Sequence, residues 1–264
     1  MIIHSKKLFL CLLSFVVLTA CENNIQTSSG KEYLARHENT SVPASEMEAK
    51  FQARLRDAAN IEPTLKFPAR IGVARIEKGE LSDIPVSEMK SWGKASEKIG
   101  SIYGEFVPLS VILTRMTEVK NSYYNSEQQY DNTIQSIRLA AARQHIDVVF
   151  IYEVKSKGSK EGNFLSLGNL TLVGAFILPS EEVKAEAISA GMLVDVMNGY
   201  PYGQVKAVAT KSALTTWHND DVAANSVSEK ARLLAVENLA SEVDKMLFSL
   251  KARLEKKSSN KINP

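Results

Sequence analysis

Cysteine is nearly absent: the 264-residue chain has two, Cys11 and Cys21. Both lie at the N-terminus. The rest of the chain therefore has no disulfide, no thiol nucleophile and no cysteine ligand for a metal. Histidine is scarce too, and His37, His145 and His218 are far apart in sequence. There is no Gly-rich phosphate loop, no G-x-S-x-G serine turn and no pair of histidines four residues apart. Neither charge is in excess, with 32 basic residues against 30 acidic. A phosphate-backbone binder needs a basic footprint that this balance does not supply. The most apolar stretch, 8–18, is about 11 residues long, well short of the roughly 20 that span a bilayer.

That stretch follows Lys6 and Lys7 and ends in small residues, the layout of a secretory signal. Its last four residues, Leu18-Thr19-Ala20-Cys21, resemble the lipobox of bacterial lipoproteins. The resemblance implies diacylation of the Cys21 sulfur, cleavage before Cys21 and usually acylation of the new amine. Membrane lipid is then a partner through Cys21, since several acyl chains on one residue anchor stably. Glu22 is not the usual inner-membrane retention residue, so the outer membrane is the expected location, with the domain facing the periplasm. Loss of Lys6 and Lys7 with the signal leaves 30 basic residues against 30 acidic.

Residues 21–44 read as a lipidated N-terminus and flexible tether, poor in large apolar side chains. As a coil, 23 residues span about 26 Å r.m.s., enough to hold a domain clear of the headgroups. A single domain is expected over 45–255 and a disordered polar tail over 256–264. Ser45-x-x-Glu48 has capping-box spacing and opens a helix whose Met47, Phe51, Leu55 and Ala58 form a stripe. That stripe is expected to pack on the main domain. Alternation over 67–76 predicts a strand. A helix from Ser87 should turn Met89, Trp92 and Ile99 inward and stop at Gly100 and Gly104. A short strand at 105–109 and a turn capped by Ser110 follow. Asp131 or Asn132 should cap a helix ending near His145. The unbroken apolar centre of 147–154 predicts a central strand. Strand-like runs follow at 164–179, 183–197 and 204–214, with Asn198-Gly199 as a type I′ hairpin turn. Ser226-x-x-Glu229 should open a long last helix. The order gives a mixed α/β (α+β) sheet of about five strands, β-α-β-α-β then a β-meander, with that C-terminal helix packed on it.

This order resembles the periplasmic domain of the curli-secretion lipoprotein and of the lipoprotein activators of penicillin-binding proteins. It is closer to the rhombotarget lipoproteins. The resemblance rests on Pro68-Ala69-Arg70-Ile71-Gly72-Val73-Ala74, Ile146-Asp147-Val148-Val149, the run 170–179 around Val173-Gly174-Ala175, and Leu193-Val194-Asp195-Val196. It implies a lipid-anchored envelope protein and supplies no catalytic residue.

No cofactor is implied. Trp217-His218-Asn219-Asp220-Asp221 is the one cluster of histidine and carboxylates, and it reads as a solvated loop before a helix. The expected function is a non-catalytic periplasmic interaction module binding an envelope protein or a second copy of itself. An oligomeric subunit of an envelope export machine is an alternative. A hydrolase is a third, if His218 and a carboxylate share a pocket. Tyr123, Tyr124 and Tyr130, set among Asn, Ser, Gln and Glu, are candidate docking residues, because tyrosine gives contact area at low entropic cost. The bland alternative has Tyr130 covering the next helix and the others merely exposed. Tyr200 and Tyr202, at the hairpin tip, are the next candidates.

Overall fold

A computed structural model of the chain describes residues 24–37, 45–116, 126–156, 182–214 and 220–262. Its centre is a pair of hydrophobic strands, one at the expected alternation and one at the expected apolar run. β2 (Ala69–Glu77) and β5 (Val148–Ser156) run parallel, with Ile71 opposite Val148 and Ile76 opposite Glu153. β4 (Gly104–Pro108) lies parallel on the other side of β2. α3 (Val86–Tyr103) makes the crossing from β2 to β4. α4 (Val111–Arg115) and α5 (Ser126–Arg143) occupy the return from β4 to β5. The two crossings move across the sheet in opposite directions, so a common right hand puts their helices on opposite faces. Trp92, Ile99 and Tyr103 of α3 accordingly join Val73, Phe150 and Tyr152 in one core. Ile137, Ala140 and Ala141 of α5 join Ala74, Val149 and Ile151 in the other.

The sheet continues antiparallel through β6 (Glu182–Asp195) and β7 (Pro201–Leu214). α6 (Asp220–Ile262) closes the α3 face with Val236, Leu239, Val243, Met246 and Leu250. Nearer its start, Ala231 and Ala235 meet Ala187 and Ala209, small residues that let helix and sheet approach closely. The strand order is β1-β7-β6-β5-β2-β3, with β4 also on β2. The mixed sheet and closing helix match the sequence reading, with seven strands in place of about five. The additions are β1 (Asn24–Ile25) and β3 (Glu80–Ser82), too short to show an alternation. No helix among the described residues is long and apolar enough to cross a membrane.

Several local expectations change. The type I′ hairpin is at Lys78-Gly79, joining β2 to β3 with both residues at positive φ, 55° and 83°. At Asn198-Gly199 only Gly199 has positive φ, 77°. The loop there holds 196–199, because the Asp195 carboxylate accepts the Met197 and Asn198 N–H groups at 2.9 and 3.1 Å. α5 starts at Ser126, before the expected cap, and α6 starts before Ser226, which is therefore an interior residue. α6 also continues through 256–262, read from sequence as a disordered tail. The run 164–179 lies outside the described residues. Ser45 and Ser110 cap α2 (Glu46–Ala59) and α4 as expected.

Candidate interaction surfaces

The largest departure from the sequence reading is at the N-terminus. Residues 24–37, assigned to the tether, form β1 and α1 (Gly30–Ala35). β1 pairs with β7, Asn24 opposite Gln204 and Ile25 opposite Gly203. Polar groups clamp the segment, Tyr200 and Ser29 buried and Glu62 half-buried. Tyr200 donates its hydroxyl to the Ser28 carbonyl at 2.7 Å. Glu62 accepts from the Ser29 hydroxyl and the Lys31 N–H, both at 2.9 Å. The Lys31 bond is the main cause that holds the Glu62 carboxyl below its ordinary pKa. Asn198 donates its amide to the Glu62 carbonyl at 2.8 Å.

Beneath this clamp lies a hub at Asp195, 3% exposed. Its Oδ2 accepts from the Thr64 hydroxyl at 2.8 Å and the Tyr202 hydroxyl at 3.1 Å. The Tyr202 oxygen in turn accepts the Thr64 and Leu65 N–H groups at 2.8 and 2.7 Å. Burial is the main cause that pushes the Tyr202 hydroxyl up to about 12. Tyr200 and Tyr202 are 1% and 0% exposed, with rings 4.9 Å apart. They are core residues and cannot form a docking tip. Tyr200 just before β7 and Tyr202 within it are two apart, the spacing that turns both to one core.

α2 departs in the opposite sense. None of its residues is buried, and it rests on α1 rather than on the sheet. The stripe expected to pack on the main domain is open, with Met47, Phe51 and Leu55 at 82%, 53% and 46% exposure. Tyr33 of α1 is exposed as well. Between α1 and α2 lies a cleft of about 720 Å³, lined by Tyr33, Leu34, His37, Leu55 and Ile61 and closed by Tyr200 and Pro201. A second apolar patch is at α4, where Ile112 and Met116 are exposed. It directly precedes the tyrosine loop.

One buried charge cluster could be mistaken for a catalytic centre. Arg75, Glu88 and Tyr152 are all at most 5% exposed. The Arg75 Nε lies 3.2 Å from Glu88 Oε2, which accepts the Tyr152 hydroxyl at 2.8 Å. Arg75 Nη1 also donates to Glu77 at 2.8 Å and Ser82 at 2.7 Å. Burial opposes the Arg75 charge, but the Glu77 bond and the Glu88 charge hold its pKa above the ordinary value. Burial first, then Glu88, raises Tyr152. A tyrosine so raised stays protonated and donates, so the cluster braces the start of α3 against β2 and β5. It also explains why Met89, expected inward, is exposed: Glu88 takes the inward position to meet Arg75. The sequence cue was Arg75 itself, a charge inside an apolar alternation.

Cys21, Tyr123, Tyr124 and His218 lie outside the described residues. Tyr130 falls within α5. His145 is exposed at φ 54°, ending α5 in a left-handed turn closed by the Ile146 N–H on the Ala141 carbonyl at 3.0 Å. The His37 ring sits against Tyr33, centroids 4.7 Å apart. Among the described residues no three His, Cys, Asp or Glu side chains gather as a metal site.

No family model and no curated protein matches the chain. Solved structures similar to it include the PelC dodecamer from Paraburkholderia phytofirmans, at 13% identity over 66% of this chain and 91% of that one, TM-score 0.26. Lipoprotein GNA1162 from Neisseria meningitidis is 16% identical over 61% of this chain and 95% of that one, TM-score 0.29. CT253 from Chlamydia trachomatis is 9% identical over 67% and 96%, TM-score 0.29. At these values the likeness carries no correspondence of sites or of function.

Proposed function

We propose that this chain is a lipid-anchored cell-envelope protein of the rhombotarget type, facing the periplasm from the outer membrane. Its domain works by binding another envelope protein or a second copy of itself, without chemistry of its own. The observation that supports this most is the lipobox-like 18–21, with the fold beginning at β1, three residues after Cys21. The proposed docking surface is the tyrosine loop, Tyr123 and Tyr124, which follows in sequence the exposed Ile112 of α4 and Met116 at its end. Tyrosine is enriched in binding hot spots.

Two measurements in intact cells test it. Cys21→Ser should abolish incorporation of labelled palmitate, and continued labelling would sink the anchor. Tyr123→Ala with Tyr124→Ala should leave folding and lipidation intact while removing an in-cell crosslink. A crosslink pattern that survives the double change moves the docking site elsewhere.

A further inference from the structure

Two surfaces border the N-terminal segment, and neither is used by the proposed docking loop. One is the apolar stripe of α2, Met47, Phe51 and Leu55, in which all three side chains are exposed. The other is the C-terminal end of α6. Over 251–261 it carries Lys251, Arg253, Lys256, Lys257 and Lys261 against Glu255 alone. The first part of the same helix is acidic, with six carboxylates against two bases over 220–244. The helix dipole favours bases only in the last turn, and this run covers about three turns. The dipole therefore does not account for its length.

The basic end is tied to the N-terminal segment. Arg253 donates to the Ile25 carbonyl and Lys257 to the Thr27 carbonyl, each at 3.0 Å. On the other flank α2 meets the same segment closely: a Cβ on Gly30 would lie 2.3 Å from the Ala59 carbonyl oxygen. The segment is thus bordered by a basic helix end and by α2, an amphipathic helix whose apolar stripe is exposed. Asn24, where it enters the sheet, is three residues from Cys21. Three extended residues reach about 10 Å. That is close to the Debye length of roughly 8 Å at physiological salt. With a lipid on Cys21, the domain is held where charges feel the bilayer surface.

We infer that the face made by the α2 stripe and the basic end of α6 rests on the anionic bilayer that holds Cys21. This builds on the anchor reading above. It fixes the domain's orientation and leaves α4 and the tyrosine loop for a protein partner. The apolar stripe enters the headgroup region while the lysines pair with lipid phosphates, as interfacial helices and polybasic ends do.

The test uses the full lipidated chain reconstituted in phosphatidylethanolamine–phosphatidylglycerol vesicles. Phe51→Cys places an environment-sensitive dye on the stripe, and Ala53→Cys places it on the opposite side of α2. The parent chain, treated with the same dye, reports whether the Cys21 thiol is blocked. The expected result is no dye on the parent, a blue-shifted and quencher-protected signal at 51, and a water-like signal at 53. Replacing the anionic lipid by phosphatidylcholine, or making Lys251→Glu with Lys256→Glu, should cut the protected fraction at 51 by roughly tenfold. A water-like signal at 51 with an unlabelled parent overturns this orientation and leaves the anchor standing. Dye on the parent overturns the anchor and the orientation with it. A protected signal at 51 without vesicles, rising with protein concentration, overturns it in favour of a second copy on α2.

Discussion

Tyr202 is the residue on which most of the N-terminal architecture converges. Its hydroxyl accepts two N–H groups and donates to Asp195, which also shapes the 196–199 loop. Tyr202→Phe keeps the ring and removes the oxygen. The Leu65 N–H is then buried without a partner, at a cost of about 1–3 kcal/mol for such a group. Urea unfolding should show a loss of about 2 kcal/mol with an unchanged slope. Glu153 behaves differently. It is 7% exposed and its Oε2 has no hydrogen-bond partner among the described residues. Burial raises its pKa, against the pull of Lys155. The folded state then binds this proton more tightly than the unfolded chain. The contribution to stability is present at low pH and is lost as pH rises through the folded pKa. Glu153→Gln should therefore melt higher than the parent at pH 8 and equally at pH 4. A parent that is the more stable at pH 8 would refute this. Glu77 works with the opposite sign. The Arg75 hydrogen bond lowers its pKa, so its stabilisation holds above the ordinary carboxylate pKa and is lost as pH falls through the folded value.

At the scale of elements, α3 shows how a helix is stopped. Gly104 ends it at φ 125° and begins β4 at once. A Cβ there would lie 2.1 Å from the Ala69 carbonyl oxygen, on the strand β4 must pair with. Gly104→Ala meets both a forbidden φ and a backbone clash, and should cost more than about 2 kcal/mol. Gly100, one turn earlier, has nothing within 4 Å of a Cβ. Gly100→Ala should stabilise by about 0.5–1 kcal/mol, because alanine loses less entropy in a helix. Thermal melts of the two variants should move in opposite directions. The sequence offers a stop at both glycines, and only packing against β2 separates them.

At the scale of the molecule, α3 and α6 lie side by side over one face of the sheet, held in part by the Lys98–Asp244 pair. The N-terminal segment sits at the β7 edge, beside the last turns of α6. This brings both ends of the described chain to one side. The exposed apolar stripe of α2 borders the same segment, so the fold presents an apolar surface and a basic one near Asn24, where the described chain begins. A tether of 23 residues would have erased that relation. The docked segment preserves it.

The α/β class, the strands at 69–77 and 148–156, the central place of β5, the caps at Ser45 and Ser110 and the closing helix were legible in the sequence. Each follows from local spacing: the alternation of a strand, the 3.6 period of a helix, or a hydroxyl three residues before a free N–H. Of the candidate site residues, Cys21 lies outside the described residues, and Tyr200 and Tyr202 prove to be core. A hairpin tip is usually exposed, and nothing local marks Tyr200 and Tyr202 as core. Their burial depends on Ser28 and Thr64, 172 and 138 residues away. The inward turn of Glu88 depends on Arg75 and Tyr152, which only the sheet brings together. The N-terminal segment lacks apolar residues for a core of its own, so composition marks it as a tether. It orders because β7 offers an open edge and Glu62, Tyr200, Arg253 and Lys257 offer polar partners. Local spacing cannot encode partners more than a hundred residues apart, and these features were decided by the tertiary structure alone.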